Sequence, residues 1–197
     1  MRRRLAASMC LIGVALPVLG HHGERQPVES ELHGWAVGPF ALTDQHGRAY
    51  TDEHLHGCWT FVLIGDTGSC AVECGAALAA LVGLCQRIAR ADAMQTTRIV
   101  FVSLDPKRDT PTRLRVYLAA YDSRFIGATG APATLLRLVD DLGAGAAGGA
   151  GAASPSPAFR GSLLLIGPDA TIRAEYLPPF DVPRLTAAYL RARGGRS

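Results

Sequence analysis

Two near-continuous apolar runs, with a helix-patterned stretch between them, fix the class of this chain. Residues 59–64 read WTFVLI and residues 98–104 read RIVFVSL. Runs of this kind, without polar alternation, suit central strands buried on both faces. Between them, residues 71–91 carry Leu78, Leu81, Leu84, Cys85 and Ile88 at helical spacing. Strand, helix and strand in this order make a βαβ unit, which demands parallel pairing and a right-handed crossover.

The flanking elements extend that unit. Residues 39–43 alternate as a short strand, DQHG at 44–47 signals a turn, and residues 48–50 return. The string DPKRDTP at 105–111 reads as a capped turn, with Thr110 suited to the N-cap and Pro111 to the first helical position. A helix runs on to about Tyr121, then comes FIG at 125–127, then a shorter helix over 132–142. Residues 161–166 and 171–176 pair as a hairpin across GPDA, and residues 181–193 close the chain as a helix. The layout is α/β and thioredoxin-like: a central mixed sheet flanked by helices, with an N-terminal β-hairpin. Residues 143–153 are only glycine and alanine and SPSP follows, so 143–157 is expected to be a mobile loop.

Composition excludes several classes. The chain has 197 residues, 48% hydrophobic and 19% charged, which rules out wholesale disorder. Lys+Arg number 20 against 17 Asp+Glu, and Arg2, Arg3 and Arg4 account for the excess. No basic face remains to argue for nucleic acid. No GxxxxGK[ST], GxGxxG or HExxH string occurs.

Residues 1–20 place three arginines before an apolar run over 5–19, the layout of a secretory signal peptide. As a helix the run spans about 23 Å, short of the ~30 Å hydrocarbon core, so cleavage is favoured over a permanent anchor. Membrane contact is expected only through residues 1–20, if they are uncleaved. Cys10 makes a poor lipoprotein site, because Met9 stands where a small residue is needed. Residues 21–38 read as a flexible lead-in and residues 39–193 as the folded domain. Export places this domain in an oxidising compartment, where disulfides persist.

Four cysteines then remain, Cys58, Cys70, Cys74 and Cys85. Cys70 and Cys74 sit where the first buried strand hands over to its helix, and sites in open α/β sheets gather at the carboxyl ends of parallel strands. A helix N-terminus stabilises a thiolate through its free N–H groups and dipole. CxxxC spacing in a helix separates Cα atoms by roughly 6 Å, within disulfide reach. The same geometry turns both sulfurs to one side, where two thiolates could grip a soft ion such as Cu(I). Cys85 lies three helical turns beyond Cys74 and reads as a core cysteine. Cys58 precedes the strand, at its opposite end from Cys70.

Other residues identify a family. FVSLDPKRDTP at 101–111 resembles the VSxDPxRDTP signature of Sco/SenC proteins, and YLAAY at 117–121 with FIGATG at 125–130 resembles the segment after it. FALTDQHG at 40–47 is similar to that family's opening hairpin, and LIGPD at 165–169 to its LxDPDG strand turn. The resemblance implies a thioredoxin-like copper chaperone of cytochrome c oxidase assembly, in the periplasm or on the outer face of the bacterial inner membrane. Its copper goes to the CuA site, or its thiols reduce that site's cysteines. The implied partner is the oxidase subunit carrying CuA or another periplasmic copper or thiol protein. The family's metal ligands are the CxxxC cysteines, matched by Cys70 and Cys74, and a distant histidine.

The departures refine the expectation. The usual CPxxCP is here CAVECG at 70–75, without either proline. Phe159 stands where the family's histidine opens the third strand, and no histidine follows His56. His54 and His56 precede the first buried strand, at the wrong end to replace it, and His46 belongs to a hairpin turn. Two sulfur ligands suit Cu(I), whereas Cu(II) wants harder donors. Three functions therefore stay open. One is a divergent copper carrier using Cys70 and Cys74 alone. The second is a thiol–disulfide oxidoreductase with Cys70 attacking and Cys74 resolving. The third is a degenerate member that binds a partner without chemistry. The turn holding Asp105, Arg108 and Asp109 is expected to join strand to helix through caps and ion pairs.

Overall fold

The structure is a computed structural model that describes residues 29–89, 93–146 and 161–195. The signal-peptide segment, Phe159 and residues 147–157 of the glycine–alanine stretch lie outside the described residues.

The strands are β1 (Glu29–Ala36), β2 (Ala41–Asp44), β3 (Ala49–Thr51), β4 (Trp59–Gly65), β5 (Thr97–Ser103), β6 (Ile126–Thr129), β7 (Leu163–Ile166) and β8 (Thr171–Tyr176). They form one sheet in the order β1-β8-β7-β4-β5-β6-β2-β3. The pairs β4–β5 and β5–β6 are parallel and the others antiparallel. The helices are α1 (Ala71–Ile88), α2 (Pro111–Ala119), α3 (Pro132–Ala146) and α4 (Val182–Gly194). The thioredoxin-like mixed sheet read from the sequence is the one observed.

The two apolar runs are β4 and β5, paired from Trp59↔Thr97 to Gly65↔Ser103. Every β4 residue is buried, because each face of the strand meets a different core. Phe61, Leu63, Ile99 and Phe101 pack with Leu78, Leu81 and Leu84 of α1, Leu114 and Leu118 of α2, and Leu185 and Tyr189 of α4. Val62, Ile64, Val100 and Val102 pack on the opposite face with Leu135, Leu138, Val139 and Leu142 of α3. By length and composition α1 could cross a membrane. Its leucines are instead spent on the first core, as befits a crossover helix.

Three elements differ from the sequence reading. Residues 29–36, expected in the lead-in, form β1 against β8, with a register shift between Glu31 and Trp35. The segment is an edge strand with one neighbour, a position that tolerates polar residues. Residues 126–129 form β6, a strand not expected from FIG alone. It needs no long apolar run, because Gly127 lets α2 press close: a Cβ there would lie 3.0 Å from Leu114 Cβ. The third helix continues to Ala146, into the first residues of the expected loop.

Candidate redox and metal-ligating site

The chain leaves β4 at Gly65, turns through residues 66–69 and enters α1 with Cys70 at the N-cap position. Cys70 and Cys74 are joined in a disulfide, with S–S 2.06 Å and Cα atoms 5.3 Å apart. Both are fully buried. One turn of helix closes under them, the Cys74 N–H donating to the Cys70 carbonyl at 2.7 Å. Gly65 is the floor of the site. A Cβ there would press into Cys74 Sγ and stand 3.1 Å from Cys70 Sγ. Only the hydrogen of glycine leaves room for both sulfurs beside the end of β4.

The turn before Cys70 is held by two carboxylates. Asp66 Oδ1 accepts from the Gly68 and Ser69 N–H groups at 2.7 and 2.5 Å, and Ser69 Oγ donates to Asp66 Oδ2. Partial burial raises the Asp66 pKa, but these bonds and the charge of Arg108 outweigh it and hold the carboxyl below its ordinary range. The second anchor comes from the turn between β5 and α2. Asp109, fully buried, accepts from the Thr67 N–H at 2.8 Å, from Thr67 Oγ1 at 2.5 Å and from Ser103 Oγ at 2.6 Å. Arg113 stands 3.7 Å from Asp109 and donates to Thr67 Oγ1 at 3.3 Å. Arg108 pairs with Asp105 and lies over Gly68, where a Cβ would be 2.9 Å from its guanidinium carbon. Thr110 caps α2 by accepting from the Arg113 N–H at 3.4 Å. The caps and ion pairs expected of 105–111 are present, and the same turn also braces the cysteine loop.

Two further walls complete the site. Tyr121 Oη would lie 3.2 Å from a Cβ on Gly75, the residue after Cys74. Tyr121 stacks edgewise on Tyr117, which meets Phe101 at 5.8 Å. Burial, with Tyr121 beside it, pushes the Tyr117 hydroxyl above its ordinary pKa. On the other side Gly161, at φ +79°, runs against the backbone of Glu73, so the entry to β7 touches the turn between the cysteines. A side chain at 161 would meet Glu73 Cβ at 2.9 Å and would also oppose the left-handed backbone there. Val72, between the cysteines, is 80% exposed, so the turn that carries the buried disulfide presents an apolar side chain to solvent.

Cys70 and Cys74 are thus brought together as their spacing implies. Cys85 is a free core cysteine whose thiol burial pushes up to about 11, and Cys58 is free at the start of β4. His54 lies beside Arg98, at the opposite end of β5 from Ser103. Among the described residues no cluster of three His, Cys, Asp or Glu side chains is arranged to hold a metal ion. Glu73, between the cysteines, is exposed. Sequence reasoning did not find Gly65 or the reach of Asp109 to Thr67. The available signal was a carboxylate two residues before a helix-opening proline, close behind a buried strand.

The SCO1/SenC family model matches residues 29–191. A putative copper-binding protein of Stutzerimonas stutzeri is 30% identical over 151 residues, which cover 76% of this chain and 73% of that one. The chain spans only 28–37% of the length of mitochondrial SCO homologues it also matches. Yeast Sco1 with copper bound superposes with a TM-score of 0.70 at 18% identity, covering 83% of this chain and 96% of that one. BsSco, a member of the Sco family of cytochrome c oxidase assembly proteins in which a disulfide switch is identified, gives 0.64 at 19% identity, covering 85% and 98%.

Proposed function

The chain belongs to the SCO1/SenC family, and we propose that it is an exported Sco-like protein that takes up Cu(I) through Cys70 and Cys74. The copper is delivered to the CuA site of cytochrome c oxidase, or the dithiol reduces that site's cysteines. The observation that carries the reading is the buried Cys70–Cys74 pair at the carboxyl end of β4. The names of the relatives support it: one is called copper-binding and another is an oxidase assembly protein.

The disulfide seen here is the oxidised partner of that function. Two electrons and two protons convert it to a dithiol. Cu(I) then displaces the two thiol protons and takes two soft sulfur donors. His46, His54 and His56 sit away from the pair, and no histidine follows His56, so the Cu(II) form lacks an imidazole donor from those positions. In the reductive branch the Cys70 thiolate attacks a partner disulfide and forms a mixed disulfide. Cys74 then releases the partner as a dithiol, and this chain returns to the disulfide state. Residues 1–20 carry the export signal in this reading, and the periplasmic side of the membrane is where both partners meet.

Anaerobic titration of the reduced protein with Cu(I), against a competing chelator, tests the proposal. One tight equivalent, lost in the Cys70→Ser/Cys74→Ser variant, is the expected result. Uptake no greater than that of the variant overturns copper binding. The closed disulfide favours the second reading, thiol–disulfide exchange without copper. A working pair titrates above about −300 mV, and a purely structural bridge below it.

A further inference from the structure

At the far end of the sheet from the disulfide, a cavity of about 450 Å³ opens between the β2–β3 turn, the 3-10 turn Asp52–Leu55, the start of β5 and the turn before β6. Arg48, Arg98 and Arg124 line it together with His46 and His54; Asp122 pairs with Arg124 beside it, and among the described residues the one lining carboxylate is Asp44. That carboxylate is already engaged. Asp44 is 7% exposed and accepts from the His46 and Arg48 N–H groups at 2.8 and 2.9 Å and from Arg48 Nε at 3.1 Å. Burial alone would raise its pKa, but these bonds and the charge of Arg48 hold the carboxyl below its ordinary range.

Donors remain on every other side. Arg98 makes one bond, from Nη1 to the His54 carbonyl at 3.2 Å. Arg124 gives Nε and Nη2 to Asp122 and Arg48 gives Nε to Asp44, so among the described residues each arginine keeps further guanidinium N–H groups. His54 Nδ1 accepts from the Thr51 N–H at 3.1 Å, so a neutral ring carries its proton on Nε2. Tyr50 is 4% exposed, lines the same cavity, and its hydroxyl has no partner among the described residues. The walls are fixed. Gln45 Nε2 donates to the Phe125 carbonyl at 3.1 Å, and its Oε1 accepts from the Gly127 N–H at 2.9 Å, tying the hairpin turn to β6. The His54 ring stacks on Tyr50 at 4.9 Å.

We propose that this cavity binds a small phosphate-bearing anion. Guanidinium groups present forked donors that match phosphate oxygens, and three of them meet here. A phosphate offers several acceptor oxygens and no obligatory donor, which suits a lining of unused N–H and O–H groups. The volume falls within the roughly 300–1,000 Å³ of small-ligand sites. It exceeds what one inorganic phosphate fills, so the ligand carries a second group, either another phosphate or an organic substituent. The copper proposal makes no use of this cavity, and the two stand or fall separately.

The probe is inorganic pyrophosphate, titrated calorimetrically into the oxidised full-length protein at about 0.15 M salt, where exposed charges are screened. The expected result is one saturable site with Kd below about 1 mM. Amide shifts should map to residues 44–50, 54, 98 and 123–126 of the wild type, a readout that needs no variant. Arg98→Gln/Arg124→Gln should weaken binding by about tenfold or more. Arg115→Gln/Arg137→Gln, which removes the same charge from exposed positions on α2 and α3, should change it by less than about twofold. Co-sedimentation with phosphatidylglycerol vesicles, lost in the first variant, identifies a lipid headgroup as the source of the phosphate. Pyrophosphate binding without co-sedimentation identifies a free solute. No saturable binding, equal weakening in both variants, or shifts confined to other residues overturns the proposal.

Discussion

Asp109 holds the turn before the cysteines, and two substitutions there separate hydrogen bonding from charge. Its carboxylate is fully buried and accepts three bonds, two on Oδ2 from the Thr67 N–H and Ser103 Oγ and one on Oδ1 from Thr67 Oγ1. Asp109→Ala strands all three donors, two of them on the turn that delivers Cys70. Bonds to a buried charge contribute about 1.5–3 kcal/mol each when singly removed, and stranded donors relax in part, so a loss of about 3–5 kcal/mol is expected. For a domain of this size that lowers the melting temperature by roughly 6–20 °C. Asp109→Asn behaves differently. Its carbonyl oxygen can take the Oδ2 position and keep the Thr67 N–H and Ser103 bonds, while its NH₂ donates to Thr67 Oγ1 once that hydroxyl turns. Only the charge and the pairing with Arg113, half-exposed at 3.7 Å, are lost, so the expected cost is about 1–2 kcal/mol. Urea unfolding of the oxidised variants, followed by tryptophan fluorescence, reads both values. Equal damage from asparagine and alanine would refute the hydrogen-bond argument and make the buried charge the stabilising feature. An alanine variant within about 1 kcal/mol of wild type would refute the bracing role altogether.

Two other perturbations report on the same end and on the core. Gly65→Ala places a methyl against both bridged sulfurs. That overpacking costs about 1–3 kcal/mol and bears on the closed pair more than on the opened dithiol, whose sulfurs can separate. The pair should therefore become easier to reduce by roughly 20–65 mV, measured against a glutathione buffer series, and an unchanged potential would show that the floor yields. Alkylation with iodoacetamide at pH 8, read by peptide mass mapping, should label Cys58 and spare Cys85. Cys58 is partly exposed, whereas Cys85 is 1% exposed with its thiol held up to about 11. Equal labelling of the two would mean that α1 opens locally at its carboxyl-terminal half.

What the sequence disclosed follows from where the side chains had to declare themselves. β4 and β5 are buried on both faces, so every residue is constrained and the runs at 59–64 and 98–104 stand out. α1 faces one core with a leucine stripe and could be read from its spacing. β1 carries no such mark. It is an edge strand whose partner is β8, more than a hundred residues away, and a polar segment with one neighbour looks like a linker. β6 is hidden for the opposite reason: four residues containing a glycine are too short for a period, and only the close approach of Leu114 and Leu118 explains them.

The site shows the same division between local and remote information. The CxxxC pair was legible because its chemistry depends on position within one strand–helix junction, and both cysteines lie in a single helical turn. Its supports were not legible, because they are supplied across the sheet. Thr67 is fixed by Asp109 from 42 residues away, Gly75 is overhung by Tyr121 of the segment after α2, and Glu73 is abutted by Gly161 at the entry to β7. The parallel pairing of β4 with β5 is what makes these contacts possible, since it delivers Gly65 and Ser103 to the same edge. It also delivers the strand beginnings to the other edge, where Arg98 joins Arg48 and Arg124 around the cavity. The two ends therefore separate soft and hard chemistry. At one end are two buried sulfurs, soft donors flanked by Gly65 and, through Gly75, by Tyr121. The guanidinium and hydroxyl donors of the cavity lie about 20 Å away, at the strands' other end, so the copper and phosphate proposals can be tested on separate variants.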